Sequence, residues 1–199
     1  MPIEIMRTIP TKVGLAFGIL AIAVFLVMYS IAMSLDNEYA FFENYLSDLG
    51  VGSGAWAFNS GVIITGVLLV LFAVFGFGPI LGSDRLSNAG KALMALSGLL
   101  LAGVGIFNED YEPYHYIFSV SYFLTFLVAL VVIAMSLYRT RRLGRSGVVI
   151  SAVASVFGAL LLPMGGNPES ETLAVLAMIS WGLSMSCLSM LREYGRNVP

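Results

Sequence analysis

His115 and Ser119 stand four residues apart, just after the acidic run Asn108-Glu109-Asp110-Tyr111-Glu112-Pro113-Tyr114. On a helix, residues at that spacing share a face, so the imidazole could act as a general base and the serine hydroxyl as its nucleophile. His115 is the only histidine in the chain. Together with Asp48, Glu109 and Asp110 it would form an oxygen-rich set suited to a hard or borderline divalent cation. That cation is the only cofactor these residues suggest, and no other feature demands one. A second polar group precedes them in Glu43-Asn44-Tyr45-Leu46-Ser47-Asp48-Leu49-Gly50, and Asn59 follows it inside an apolar run. An amide buried about two turns into such a run must find hydrogen-bond partners or raise the free energy, which makes Asn59 a candidate floor for a pocket.

Taken one at a time, these residues read as hydrated loop groups, and Tyr111, Tyr114, Tyr116 and Tyr122 as an interfacial aromatic belt. Their coincidence carries more weight. Asn44, Ser47, Asp48, Asn59, Glu109 and His115 fall on one side of the chain's topology at similar depth and form the expected ligand-binding set. The sequence contains no GxSxG elbow, HExxH, paired CxxC or phosphate-binding glycine loop, so the familiar hydrolase, zinc and nucleotide signatures are missing.

The elements that must position these groups are membrane helices. Of the 199 residues 58% are hydrophobic and 11% charged, whereas soluble domains carry roughly 25% charged residues. Hydrocarbon about 30 Å thick needs about 20 apolar residues per helix. Six runs of that kind occur, at about 13–35, 54–81, 89–107, 114–138, 146–164 and 172–191. They predict a single integral membrane domain over 1–199, an all-α polytopic bundle of six transmembrane helices. The first run exceeds the roughly 7–15 residue core of a cleaved signal and reads as a retained span. Phe42, Tyr45, Leu46 and Leu49 follow helical spacing, so a short interfacial helix over Glu38–Leu49, ended by Gly50 as its C-cap, is expected in the first outer loop.

All ten Lys and Arg residues fall on one side of this topology, and Asp36, Glu38, Glu43, Asp48, Glu109, Asp110, Glu112, Glu169 and Glu171 on the other. The positive-inside rule makes the basic side cytoplasmic, with both termini there and the polar cluster outside the cell membrane. No charged residue lies in the centre of a span, which lowers the expectation of a proton-coupled pump or voltage-gated channel. Cys187 is the lone cysteine and lies in the last run, leaving the loops without a disulfide framework. Gly14 and Gly18 have the spacing that allows close helix approach. The segments Leu99–Glu109 and Leu160–Glu169 both leave their spans through glycines towards Asn and Glu, a faint internal repeat.

Leu46-Ser47-Asp48-Leu49-Gly50, Phe58-Asn59-Ser60-Gly61 with Gly66, and Gly105-Ile106-Phe107 leading to His115 and Ser119 resemble, in order and spacing, a prokaryotic six-span membrane family known as domain of unknown function 998. A more distant similarity links them to the eukaryotic FRAG and DRAM membrane proteins. The family often has a proline directly after Gly-Ile-Phe, where this chain has Asn108. The resemblance implies six spans and an outward polar site, and no established activity.

The leading expectation is a pocket on the outer face that binds a lipid head group or a small polar ligand, with the Glu38–Leu49 helix as its rim and Asp48 approaching His115. The alternatives are an enzyme of lipid metabolism using His115 as base or metal ligand, with Asp48 and Ser119 as further catalytic candidates, a channel or carrier for a small solute, and an assembly role. Membrane lipids are the expected partners and nucleic acid is not. The sequence leaves the oligomeric state open.

Overall fold

The computed structural model describes residues 10–195; Arg7 and Arg196, two of the basic residues used for orientation, lie outside them. Among the described residues the chain is mostly helical, without a strand. Six helices are long and apolar enough to cross a membrane: α1 (Thr11–Leu35), α2 (Ala55–Leu81), α3 (Arg85–Ile106), α4 (Tyr114–Thr140), α5 (Gly144–Met164, its last turn 3-10) and α6 (Pro168–Glu193). Each packs on the next in sequence, and α6 packs back on α1, closing a ring. Large apolar side chains such as Val27, Leu99, Val153 and Leu191 remain exposed on the outside of the ring. Water would penalise such a surface, and hydrocarbon does not.

Close approach between helices depends on glycine at particular crossings. At the α2–α3 contact, a Cβ on Gly66 would fall 2.5 Å from the Gly98 carbonyl oxygen, and one on Gly98 would fall 2.7 Å from that of Gly66. Gly14 meets the backbone of Phe75 and Gly76 in the same way, and Gly18 meets Phe72 and Ser186, so the glycine spacing read in α1 serves packing against α2 and α6. Helix α2 is not uniform. Its Phe72–Phe77 turn is π-helical, just before Pro79, which lacks an N–H and whose ring would crowd the carbonyl four residues earlier. The widened turn brings Phe72 and Phe77 inward, stacked at 5.4 Å between ring centroids. Phe77 and Phe126 then meet Trp181 edge-on at 6.0 and 5.7 Å. With Leu15, Met94, Ile133, Leu137 and Met185 they fill the ring's interior.

Several helices start earlier than the apolar runs. Asp84 caps α3, its carboxylate accepting the Leu86 and Ser87 N–H groups; the Ser87 hydroxyl also donates to it and holds its carboxyl below the ordinary aspartate value. At the other end of the bundle Asn167 caps α6, accepting the Ser170 N–H at 2.8 Å, with Pro168 as the first helical residue. Glu171 therefore belongs to the first turn of α6, although the apolar run suggested a loop.

The interfacial helix in the first acidic-end loop is shorter than the Glu38–Leu49 segment expected. It is one 3-10 stretch, Leu46–Gly50. Phe42 sits at φ 71°, and the Asn44 side chain takes the Ala40 N–H at 2.9 Å; both compete with helix. Leu46 and Leu49 are buried against α1 and α2 as their spacing implied. Gly50 is the last residue of the stretch and Val51 is the cap, so Gly50 is not the left-handed cap expected of it. The ends of α3 and α5 also differ. Gly103 and Gly105 are helical and packed, whereas Gly165 and Gly166 form a left-handed turn with open space around them.

Candidate functional site

A cavity of about 430 Å³ lies at the acidic end, between α4 and α6 with α5 along its side. That volume is within the range of about 300–1,000 Å³ usual for small-ligand sites. Its polar end is lined by Tyr45 and Ser47 from the first loop, Glu109 and Glu112 from the α3–α4 connection, His115, Tyr116 and Ser119 on α4, and Glu171 on α6. Its deeper wall is apolar: Val120, Phe123, Leu124, Phe126, Leu127 and Leu130 from α4, Ala154, Gly158 and Leu161 from α5, and Ala174, Ala177 and Met178 from α6. Tyr122, Phe126 and Trp181 form the packed floor behind it.

The first loop is strapped across the cavity's rim. The Leu46 N–H donates to the Glu171 carboxylate at 2.7 Å, and the Tyr45 hydroxyl donates to the Gly166 carbonyl at 2.9 Å. These two bonds join residues more than 120 positions apart. Asp48 stabilises the strap locally, its Oδ2 accepting the Tyr45 N–H at 2.9 Å. The Gly50 carbonyl receives two amides, Asn59 Nδ2 at 2.8 Å and Asn108 Nδ2 at 3.0 Å, and a Cβ on residue 50 would fall 2.7 Å from Asn59 Oδ1. A Cβ at 50 would therefore have to displace the Asn59 amide.

His115 is buried at 7% exposure. Its Nδ1 lies 2.8 Å from the Phe107 carbonyl and its Nε2 lies 3.3 Å from Ser119 Oγ. A carbonyl can only accept, so Nδ1 carries a proton, and in the neutral imidazole the Nε2 lone pair faces the serine hydroxyl. This is the order of contacts of a nucleophile, a base and the group that orients the base. Glu109 is half-buried beside it. Burial pushes its carboxyl above the ordinary glutamate value, against a hydrogen bond from Ser47; the Asp48 and Glu112 carboxylates add to the rise and His115 opposes it.

Of the residues singled out in sequence, Ser47, Glu109, His115 and Ser119 meet in the cavity wall. Asn44, Asp48 and Asn59 stand outside the wall. Each is committed to a backbone partner, and Asn59 acts as a staple between α2 and the first loop rather than as a floor. Asp48 reaches Glu109 electrostatically, while its hydrogen bond goes to Tyr45. Among the described residues no group of three or more His, Cys, Asp or Glu side chains is arranged to hold a metal ion. The set Asp48, Glu109, Asp110 and His115 does not converge: Asp48 Oδ2 takes the Tyr45 N–H, and Asp110 is exposed beside Asn108. Sequence reasoning missed Tyr45, Glu112 and Glu171 as site residues. The signal for Glu171 was Asn167-Pro168, an N-cap followed by proline at the first helical position, which puts Glu171 on a helix turn.

A family model described as Protein of unknown function (DUF998) matches residues 19–191. The chain belongs to that family. The match spans most of α1 through α6 and contains every motif on which the resemblance was read, so the DUF998 region carries the whole cavity. Comparison with curated proteins and with solved structures gives no match. The likeness to FRAG and DRAM proteins rests on the sequence resemblance alone. This DUF998 member is a multi-pass membrane protein whose apolar surface and six spans suit that setting.

Proposed function

We propose that this protein holds a membrane amphiphile in the α4–α5–α6 cavity, its polar head among Ser47, Glu109, His115 and Glu171 and its apolar chain along α4. The acidic end then faces the extracytoplasmic side of the cell membrane and both termini are cytoplasmic. The observation that carries the reading is the graded lining of one cavity, polar at the loop end and wholly apolar below Ser119. From His115 to Leu130 that wall runs about 22 Å along the helix, deep enough for a hydrocarbon chain. Val120, Leu124 and Leu162 line the cavity and are themselves exposed, which supports an opening of the apolar part to lipid. Apolar packing of the ring interior, from Phe72 and Phe77 to Ile133 and Leu137, weighs against the channel reading.

Photo-crosslinking tests this proposal. A lipid carrying a diazirine in its chain should label peptides of α4, α5 and α6 that line the cavity, and excess unlabelled lipid should compete. Uniform labelling around the ring would overturn it. For the orientation, a membrane-impermeant thiol reagent applied to intact cells should label Asp110→Cys and not Arg141→Cys in a Cys187→Ser background; the reverse pattern would overturn it.

A second reading, ester hydrolysis or acyl transfer, is favoured by the contact of Ser119 Oγ with Nε2 of a His115 whose Nδ1 is held by the Phe107 carbonyl. Ser119 would attack the acyl carbon while His115 takes its proton and returns it to the leaving alcohol. A fluorophosphonate probe should then label Ser119, with labelling lost in Ser119→Ala and lowered in His115→Ala. An unlabelled wild-type chain would remove this reading.

A further inference from the structure

The polar end of the cavity carries three glutamates and neither lysine nor arginine. Glu109, Glu112 and Glu171 bring three carboxyl groups, and the His115 Nδ1 proton is committed to the Phe107 carbonyl. Neither Lys nor Arg lines the cavity; the basic residues of the described loops lie at the opposite end of the helices. A phosphate or sulfate head would therefore meet carboxyl groups in a partly desolvated site with no lysine or arginine to offset them, an arrangement that disfavours such a ligand. A hydroxyl could be accommodated, but it offers one donor to several acceptors. An ammonium head supplies positive charge and several N–H donors, and its bonds to carboxylates are of the stronger, charge-assisted kind. Tyr45 and Tyr116 line the same end, and aromatic rings are favourable neighbours for a cation.

We propose that the cavity selects amphiphiles whose polar end bears an ammonium group, held by Glu109 and Glu171 with its chain lying along the apolar wall of α4. This assignment rests on the amphiphile-binding reading given above and adds the chemistry of the head. Anionic head groups are excluded by charge, neutral ones are bound weakly, and cationic ones are retained.

The test uses the full chain in nanodiscs of zwitterionic lipid, with empty nanodiscs as blank, and three probes of equal chain length: dodecylamine, dodecanol and dodecyl sulfate. The amine is protonated at pH 7. Dodecylamine should bind at least about tenfold more tightly than dodecanol, and dodecyl sulfate should show no saturable binding. The double variant Glu109→Gln/Glu171→Gln keeps an acceptor for the Leu46 N–H. It should bring dodecylamine down to the level of dodecanol while leaving dodecanol within about twofold, which also reports that the cavity is intact. Ala177→Phe, which fills the apolar wall, should abolish saturable binding of every probe. Unchanged dodecylamine affinity in the double variant, or dodecyl sulfate binding as tightly as dodecylamine, would overturn the ammonium assignment while loss in Ala177→Phe leaves the cavity reading standing. Probe binding unaffected by Ala177→Phe would overturn both.

Discussion

The Gly50 carbonyl offers a quantitative test of how the first loop is held over the cavity. It is buried and accepts two amide donors, Asn59 from α2 and Asn108 from the α3–α4 connection. Removing one donor leaves the carbonyl satisfied by the other, so Asn59→Ala or Asn108→Ala alone should cost about 1 kcal/mol, the net worth of one hydrogen bond. Removing both leaves a buried carbonyl without a partner, which adds a desolvation penalty of about 1–3 kcal/mol. The double variant should therefore lose more than the two singles together, with a coupling energy of about 1 kcal/mol or more. Unfolding in mixed micelles, followed by the fluorescence of Trp181 and Trp56, gives the four stabilities needed. Strict additivity within about 0.4 kcal/mol would show that the two amides do not share one acceptor, and the account of the strap would fail.

Other consequences are open to the same assay. Ala177→Phe should change stability by less than about 1 kcal/mol because its ring enters open volume, whereas Ala129→Phe, at a fully buried position in the packed core, should cost about 1–3 kcal/mol or more; equal penalties would argue that no cavity exists. Glu109 has a raised carboxyl, so its contribution is fully present below the ordinary glutamate value and is lost as pH rises through the folded one. Glu109→Gln should consequently melt later than wild type at neutral pH, with the difference closing in acid; a difference that widens in acid would contradict the burial argument. Asn167→Ala should lower stability by about 1 kcal/mol through loss of the α6 cap and leave the α1–α2 contact unaltered by cross-linking; no change in melting would mean that α6 starts elsewhere.

What was legible in sequence follows from what hydrocarbon demands. The six spans could be read because lipid tolerates little but an apolar helix, and the close packing of α1 on α2 and α6 was foreshadowed by Gly14 and Gly18. Helix starts were harder, because Asp84 and Asn167 are polar capping residues that a hydropathy run discards; Glu171 was lost to the site with the second of them. Asn59 was rightly marked as needing a partner, yet composition cannot tell a ligand from a backbone carbonyl 2.8 Å away. The periodicity of Phe42, Tyr45, Leu46 and Leu49 reported truly which residues are buried together at its C-terminal half. It could not register that Asn44 and the left-handed Phe42 would break the helix before Leu46.

Occupancy of the cavity tests the central claim most directly. Native mass spectrometry of the chain released from a mild non-ionic detergent should show a retained amphiphile on the wild-type protein, displaced stoichiometrically in Ala177→Phe with no loss of folded protein. A wild-type spectrum free of any bound amphiphile after gentle extraction, or one whose adducts persist unchanged in Ala177→Phe, would contradict the account.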